Sequence, residues 1–143
     1  MTTSVSTPTL ISSVPELEAF LSSIPPSSTT YLDLEGNRLS RHGTISLITV
    51  LAHPQTVVRL IDVLSLGKRA FTTVSNNGKS LRFILENADI PKCNWDVRND
   101  ADALWALYHV GLANVTHIQL VENASRAGDK RYIRGLDKSI QST

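Results

Sequence analysis

Three runs rich in β-branched residues follow one another early in the chain, at 30–34, 43–51 and 57–64, the last two separated by Ala52-His53-Pro54-Gln55. This pattern predicts three successive strands pairing as an antiparallel meander. Beyond it the hydrophobic period changes. Residues 79–88 place Leu81, Ile84, Leu85 and Ala88 on one helical face, Ile90-Pro91 closes that helix, and 92–97 alternates as a fourth strand should. A second helix is predicted at 99–110, with Leu104, Leu107 and Val110 inward and Gly111 as its stop. Residues 115–118 read as a fifth strand leading into a helical 119–126. Ahead of the meander, Ser13, Pro15 and Glu16 form a helix-start signature, followed by Leu17, Phe20, Leu21 and Ile24 at helical spacing. Pro25-Pro26-Ser27-Ser28 ends that helix, and residues 1–10 read as a flexible tail. The order of elements predicts an α/β domain over 11–143, a mixed sheet flanked by helices.

With 143 residues, 41% of them apolar, the chain can bury the core of one globular unit. A net charge of +1 gives no composition-level argument for a nucleic-acid or membrane partner, so such an argument must come from local features. The single cysteine, Cys93, cannot close an internal disulfide, and no Cys/His cluster has zinc-ligand spacing. The Ser, Thr and Pro-rich start lacks the basic and apolar regions of a signal peptide, and the apolar runs are too short for a membrane span. The expected location is intracellular, cytoplasmic or nuclear.

The 13 acidic residues include three pairs two positions apart, Glu16/Glu18, Asp33/Glu35 and Asp100/Asp102, where composition alone yields roughly one. Asp33/Glu35 is set apart by its setting in Tyr31-Leu32-Asp33-Leu34-Glu35-Gly36, a strand in which both carboxylates project from one face. Like charges placed there repel unless a cation or basic group lies between them. The plainer reading has Leu32 and Leu34 facing the core and the two acids facing water. Asn99-Asp100-Ala101-Asp102 has its own plain reading, as side chains that cap a helix start and complement its dipole.

The run Leu32-Asp33-Leu34-Glu35-Gly36 followed by Leu39-Ser40-Arg41-His42-Gly43-Thr44-Ile45-Ser46 resembles the first motif of ribonuclease D-like 3'-5' exonucleases. Ser80-Leu81-Arg82-Phe83-Ile84-Leu85-Glu86, Ile90-Pro91-Lys92-Cys93 and Trp95-Asp96-Val97-Arg98-Asn99-Asp100 resemble that family's helix, strand and second acidic motif in the same order. Asn114 to Leu120 resembles the strand-to-helix segment that follows, so the similarity covers residues 30–126. The resemblance implies a ribonuclease H-like fold and four carboxylates holding two ions, Mg2+ or Mn2+. Asp33 and Glu35 would be the first pair, and Asp100 rather than Asp96 the third carboxylate. It also implies hydrolysis of RNA or DNA 3' ends to nucleoside 5'-monophosphates, by in-line attack between ions ~3.5–4 Å apart.

Two departures stand out. His117 occupies a position where many relatives carry Asp. After Arg126 the chain has no Tyr or His followed about four residues later by Asp on a helix, the family's third motif; Tyr132 and Asp137 are wrongly spaced, and Gly135 interrupts the helix they would need. The expectation is therefore a C-terminally truncated domain that binds metal but hydrolyses poorly. The alternative is a catalytically inactive exonuclease-like domain that binds nucleic acid or a protein partner. The basic residues Arg126, Lys130, Arg131 and Arg134 are candidates for a phosphate-contacting strip, against the plain reading of a solvated tail. Asn77-Gly78-Lys79-Ser80 resembles a phosphate-binding loop, but Thr73 stands where that motif needs Gly. His42, His53 and His109 read as surface or packing residues, and Trp95, Trp105 and Tyr108 as core.

Overall fold

A computed structural model describes residues 7–126 and Gly128. Its six-stranded mixed sheet has the order β1-β4-β3-β2-β5-β6. The strands are β1 (Thr9–Ile11), β2 (Thr29–Glu35), β3 (Leu47–His53), β4 (Arg59–Asp62), β5 (Lys92–Asn94) and β6 (Val115–His117). The predicted meander is present: β2 pairs antiparallel with β3, from Thr29 opposite His53 to Glu35 opposite Leu47, and β3 pairs antiparallel with β4. β5 joins β2 in parallel, and β6 joins β5 in parallel. The end of the segment read as a flexible tail is corrected, because Thr9 and Leu10 belong to β1, which pairs in parallel with β4. Ile11 is buried there, and Thr9 N donates to Val58 O at 2.9 Å.

One face of the sheet carries the core. Leu32, Leu34, Ile48, Val50, Ala52 and Ile61 are buried on the strands. Against them pack the helices α1 (Val14–Ser23), α3 (Arg69–Thr72), α4 (Leu81–Glu86) and α5 (Val97–Tyr108), through Leu17, Leu21, Phe71, Leu81, Leu85, Ala103 and Leu104. One start follows the predicted chemistry, Ser13 Oγ accepting from Glu16 N; Ser80, inside the span predicted as helix, is the cap of α4, its Oγ accepting from Phe83 N at 3.0 Å. Two short helices were not foreseen. The predicted strand at 57–64 stops at Asp62, whose carboxylate caps α2 (Val63–Leu66) by accepting from Ser65 N at 3.1 Å; α3 follows. β3 likewise begins only at Leu47, because 36–46 form a closed loop in which Thr44 N donates to Asn37 O and Ser46 N to Glu35 O.

The fourth predicted strand is also shorter than its alternation suggested. It ends at Asn94, and Asp96 is not inside a strand but is the N-cap of α5. The helix therefore starts at Val97, and its last turn is closed by His109 in the left-handed region (φ 56°), not by Gly111. Trp105, expected in the core, is 61% exposed, since Asp100, Ala103 and Leu104 take the inner face of α5 and leave it outside. Tyr108 does pack inward, its ring 4.5 Å from that of Phe71. His42, His53 and His109 lie on the surface. β6 leads directly into α6 (Ile118–Ser125). Among the described residues no helix is long and apolar enough to cross a membrane.

The loop after β2 tolerates no side chain at two positions. A Cβ on Gly36 would land on the Thr44 carbonyl, and one on Gly43 on the carbonyls of Asn37 and Arg38. Gly36→Ala is expected to cost about 2 kcal/mol, as an overpacked site that cannot relax. Urea denaturation measures it, and a loss below about 0.5 kcal/mol would mean that the loop yields easily.

Candidate active site

Asp33 and Glu35 stand on the face of β2 opposite the buried Leu32 and Leu34, so the strand alternation is the one that the plain and the functional readings share. What distinguishes the site is what approaches it from α5. β5 ends at Asn94, so the last residues of β2 have no strand partner on that side. The Asp100 carboxylate fills the gap: Leu34 N, between Asp33 and Glu35, donates to Asp100 Oδ2 at 3.3 Å across a separation of 66 residues. Asn94 Nδ2 donates to the same oxygen at 2.7 Å. Asp100 and Asn94 are only 4% and 1% exposed, which marks both as polar groups held for a purpose or well compensated. Asp100 Oδ1 carries no hydrogen bond among the described residues.

The electrostatics agree with this convergence. Burial pushes the Asp100 carboxyl up to about 6; the Asn94 hydrogen bond opposes the shift, and repulsion from Asp33 adds to it. Glu35 is also raised, first by desolvation and then by the adjoining Asp33 carboxyl. Asp33 thus raises both its strand neighbour Glu35 and the distant Asp100, and no basic side chain among the described residues pairs with any of the three. Among the described residues no three Asp, Glu, His or Cys groups are gathered so that they could hold a metal ion.

Asp96 is differently employed. Its carboxylate caps α5 by accepting from Arg98 N at 3.3 Å and pairs with Arg98 NH2 at 3.0 Å, which holds it below the usual carboxylate range. His117 Nε2 lies 3.4 Å from Asp96 Oδ1, so the histidine where relatives carry Asp faces this capping acid. The helix cap that the sequence reading gave to Asn99, Asp100 and Asp102 belongs to Asp96. A groove of about 520 Å³ runs from Asp33 along the same sheet face, lined mainly by apolar atoms of Tyr31, Leu51, Val58, Trp95 and Ile118, with Asn94 and Asp96 at its side.

Of the candidate nucleic-acid contacts, Lys130, Arg131 and Arg134 lie outside the described residues, as do Tyr132, Gly135 and Asp137. Arg126 is turned back onto α6, with Nε 3.0 Å from Glu122 Oε1 and NH2 2.8 Å from Asn123 Oδ1. Its side chain is 8% exposed. Sequence reading missed Asn94, because nothing in a single sequence distinguishes a strand asparagine that orients a distant carboxylate.

No protein-family model matches the chain, and no curated protein sequence matches it. Solved structures do. The Trypanosoma brucei RNase D complex with RNA U12 superposes with a TM-score of 0.69 at 25% identity, over 80% of this chain and 38% of that one. Escherichia coli RNase D, an exoribonuclease involved in structured RNA processing, gives 0.71 at 16% identity, over 96% of this chain and 33% of its own. Brucella melitensis NrnC with bound Mg2+ gives 0.64 at 14% identity, over 84% and 55%. The chain thus spans 38% and 33% of the two RNase D chains. Its mixed sheet flanked by helices is the ribonuclease H-like fold of the ribonuclease D-like 3'-5' exonucleases.

Proposed function

We propose that this chain is a metal-dependent 3'-5' exonuclease-type domain acting on RNA or DNA ends, with Asp33, Glu35 and Asp100 as the ligands of Mg2+ or Mn2+. The observation that carries this reading is the Asp100 carboxylate bonded to the backbone N–H between the two strand acids, 66 residues away in sequence. When bound, the metal makes water nucleophilic at neutral pH and stabilises charge on the leaving 3' oxygen. The protein's own residues do the positioning. Leu34 N and Asn94 Nδ2 hold one oxygen of Asp100, and the extended backbone of β2 sets Asp33 and Glu35 on one face. The product class is a nucleoside 5'-monophosphate. The fold shared with RNase D solved in complex with RNA supports a nucleic-acid substrate.

The test has two arms. In calorimetry, Mn2+ binding is expected to fall sharply in Asp100→Asn and little in Asp96→Asn, because Asp96 is engaged as a cap that Asn can replace. The reverse ranking would overturn the assignment. In parallel, end-labelled single-stranded RNA and DNA are incubated with the chain and Mn2+, beside an Asp33→Ala control. Mononucleotide release is expected to be weak and to disappear in the control; robust release abolished in Asp33→Ala would overturn the expectation of poor hydrolysis, and release that persists in Asp33→Ala rejects the site.

A further inference from the structure

Asp102, the second acid of the pair on α5, does not face the strand end; it faces the loop that follows Glu35. Arg41 reaches it through both backbone and side chain. Arg41 N donates to Asp102 Oδ2 at 2.8 Å, Nε lies 3.1 Å from Oδ1, and NH2 lies 2.8 Å from Oδ1. The guanidinium thus forks onto one carboxylate while the chain beside it is pinned to the same group, a geometry that lysine cannot reproduce. We infer that Arg41 and Asp102 form a clamp that fixes the Asp33–Glu35 strand end against α5, which makes both of them positioning residues of the carboxylate site. This rests on the reading of Asp33, Glu35 and Asp100 as one site.

The mechanical argument has three parts. First, Arg41 follows Glu35 by six residues and Asp102 follows Asp100 by two, so the clamp joins the same two elements as the site itself. Second, the loop between Glu35 and Arg41 is closed on itself: Ser46 N donates to Glu35 O at 2.8 Å, Thr44 N to Asn37 O at 3.0 Å and Gly43 N to Ser40 O at 3.1 Å. The backbone packs so closely at Gly36 and Gly43 that neither has room for a Cβ, so the loop is tight between Glu35 and Arg41. Third, the inner tie between the two elements, Leu34 N to Asp100, is long at 3.3 Å, and Asp33 repels Asp100 across it. An outer tie that holds the elements together before a cation arrives keeps the acids within reach of one ion.

The pair lies at the rim, with side chains 64% and 28% exposed. An ion pair so exposed adds little to global stability. Its loss is therefore expected to move the melting temperature by no more than about 3 °C. The effect on the site should be larger, about tenfold in metal affinity, the usual scale for residues that orient ligands.

The experiment compares the full chain with Arg41→Gln, Asp102→Asn, the double variant and Arg41→Lys, using Mn2+ calorimetry and metal-free amide exchange by NMR. Expected are a loss of about tenfold in affinity in each single variant, no further loss in the double, and an intermediate value for Arg41→Lys. Amides of Leu34 and Thr44 should exchange faster in the same variants while that of Val50 does not change. Wild-type binding with unaltered affinity in both single variants overturns the clamp, as do fully additive losses. If the wild-type chain binds no Mn2+, the ligand reading fails and exchange decides: selective, non-additive loss of protection at Leu34 and Thr44 upholds the clamp, and unchanged protection overturns it.

Discussion

Asp100→Asn is expected to melt above the wild-type chain at about pH 8 without metal, and to lose most of its affinity for Mn2+ in the same buffer. The two effects have opposite signs because one group is costly when empty and useful when occupied. Burial raises the Asp100 carboxyl from its ordinary 3.8 to about 6; Asn94 partly offsets this, and Asp33 adds to it. The sign follows from linkage. An acid raised in the folded state contributes stability that is fully present below its unfolded value and lost as pH rises through its folded value, here about 6. The wild-type chain should therefore lose stability between about pH 4 and 6 relative to the variant. Discounted for screening, the difference at neutral pH is on the order of 1–2 kcal/mol. Asn keeps an oxygen for Leu34 N and Asn94 Nδ2, and can direct its own N–H toward Asp33.

Metal reverses the balance, since a dication needs the ionised carboxylate. Mn2+ affinity in the wild type should decline as pH falls through about 6, and in Asp100→Asn it should drop by more than about 100-fold, exceeding the usual loss of an orienting partner. Thermal scans across pH and calorimetry measure both effects. A variant that melts lower than wild type with its metal affinity intact would make Asp100 a structural acceptor for the end of β2, and would sink the ligand assignment.

Lys92→Met should be the most destabilising change outside the apolar core, by about 3–5 kcal/mol. Lys92 is fully buried at the first residue of β5, and its ammonium donates to the carbonyls of Ile84 at 2.8 Å, Asn87 at 2.9 Å and Ile90 at 2.6 Å. Three N–H groups meet three acceptors around the end of α4 and the turn after it, where helix carbonyls lack intrahelical donors. Burial pushes its pKa down to about 8, which leaves the side chain charged at neutral pH and all three bonds in place. Methionine matches the stem but leaves the three carbonyls without a donor. The damage should reach the site, because Lys92 sits opposite Thr30 of β2, and Asn94, two residues further on, orients Asp100. Denaturant titration gives the stability, and the Asp100 titration midpoint followed by NMR reports the site. A loss under about 1 kcal/mol would show that water reaches those carbonyls in the variant.

Much of this architecture was legible from local rules. Ser13 announced its helix because a hydroxyl before an apolar stripe satisfies an exposed backbone N–H wherever the helix packs. The meander was legible because β2, β3 and β4 pair with their neighbours in sequence. The contribution of Thr9 and Leu10 to the sheet was not, because β1 pairs with β4 about fifty residues away, and a three-residue edge strand leaves too little pattern to read. Lys92 stood in a stretch read as an alternating strand, with no local sign of the three carbonyls that permit its burial.

The sequence by itself determined which carboxylates exist, their order along the chain and the alternation that sets Asp33 and Glu35 on one face of β2. The family resemblance already implied Asp100 rather than Asp96; only the tertiary structure shows why Asp100, and not Asp96 or Asp102, bonds to the end of β2. That choice depends on where α5 begins, and it begins at Val97 because Asp96 captures the Arg98 N–H and ends the extended run. From that start each residue turns the helix by about 100°, so that Asp100 faces the strand end while Asp102, two residues on, faces Arg41 on the loop. A shift of one residue in the cap would rotate both acids away from their partners, and no local propensity resolves a helix start that finely.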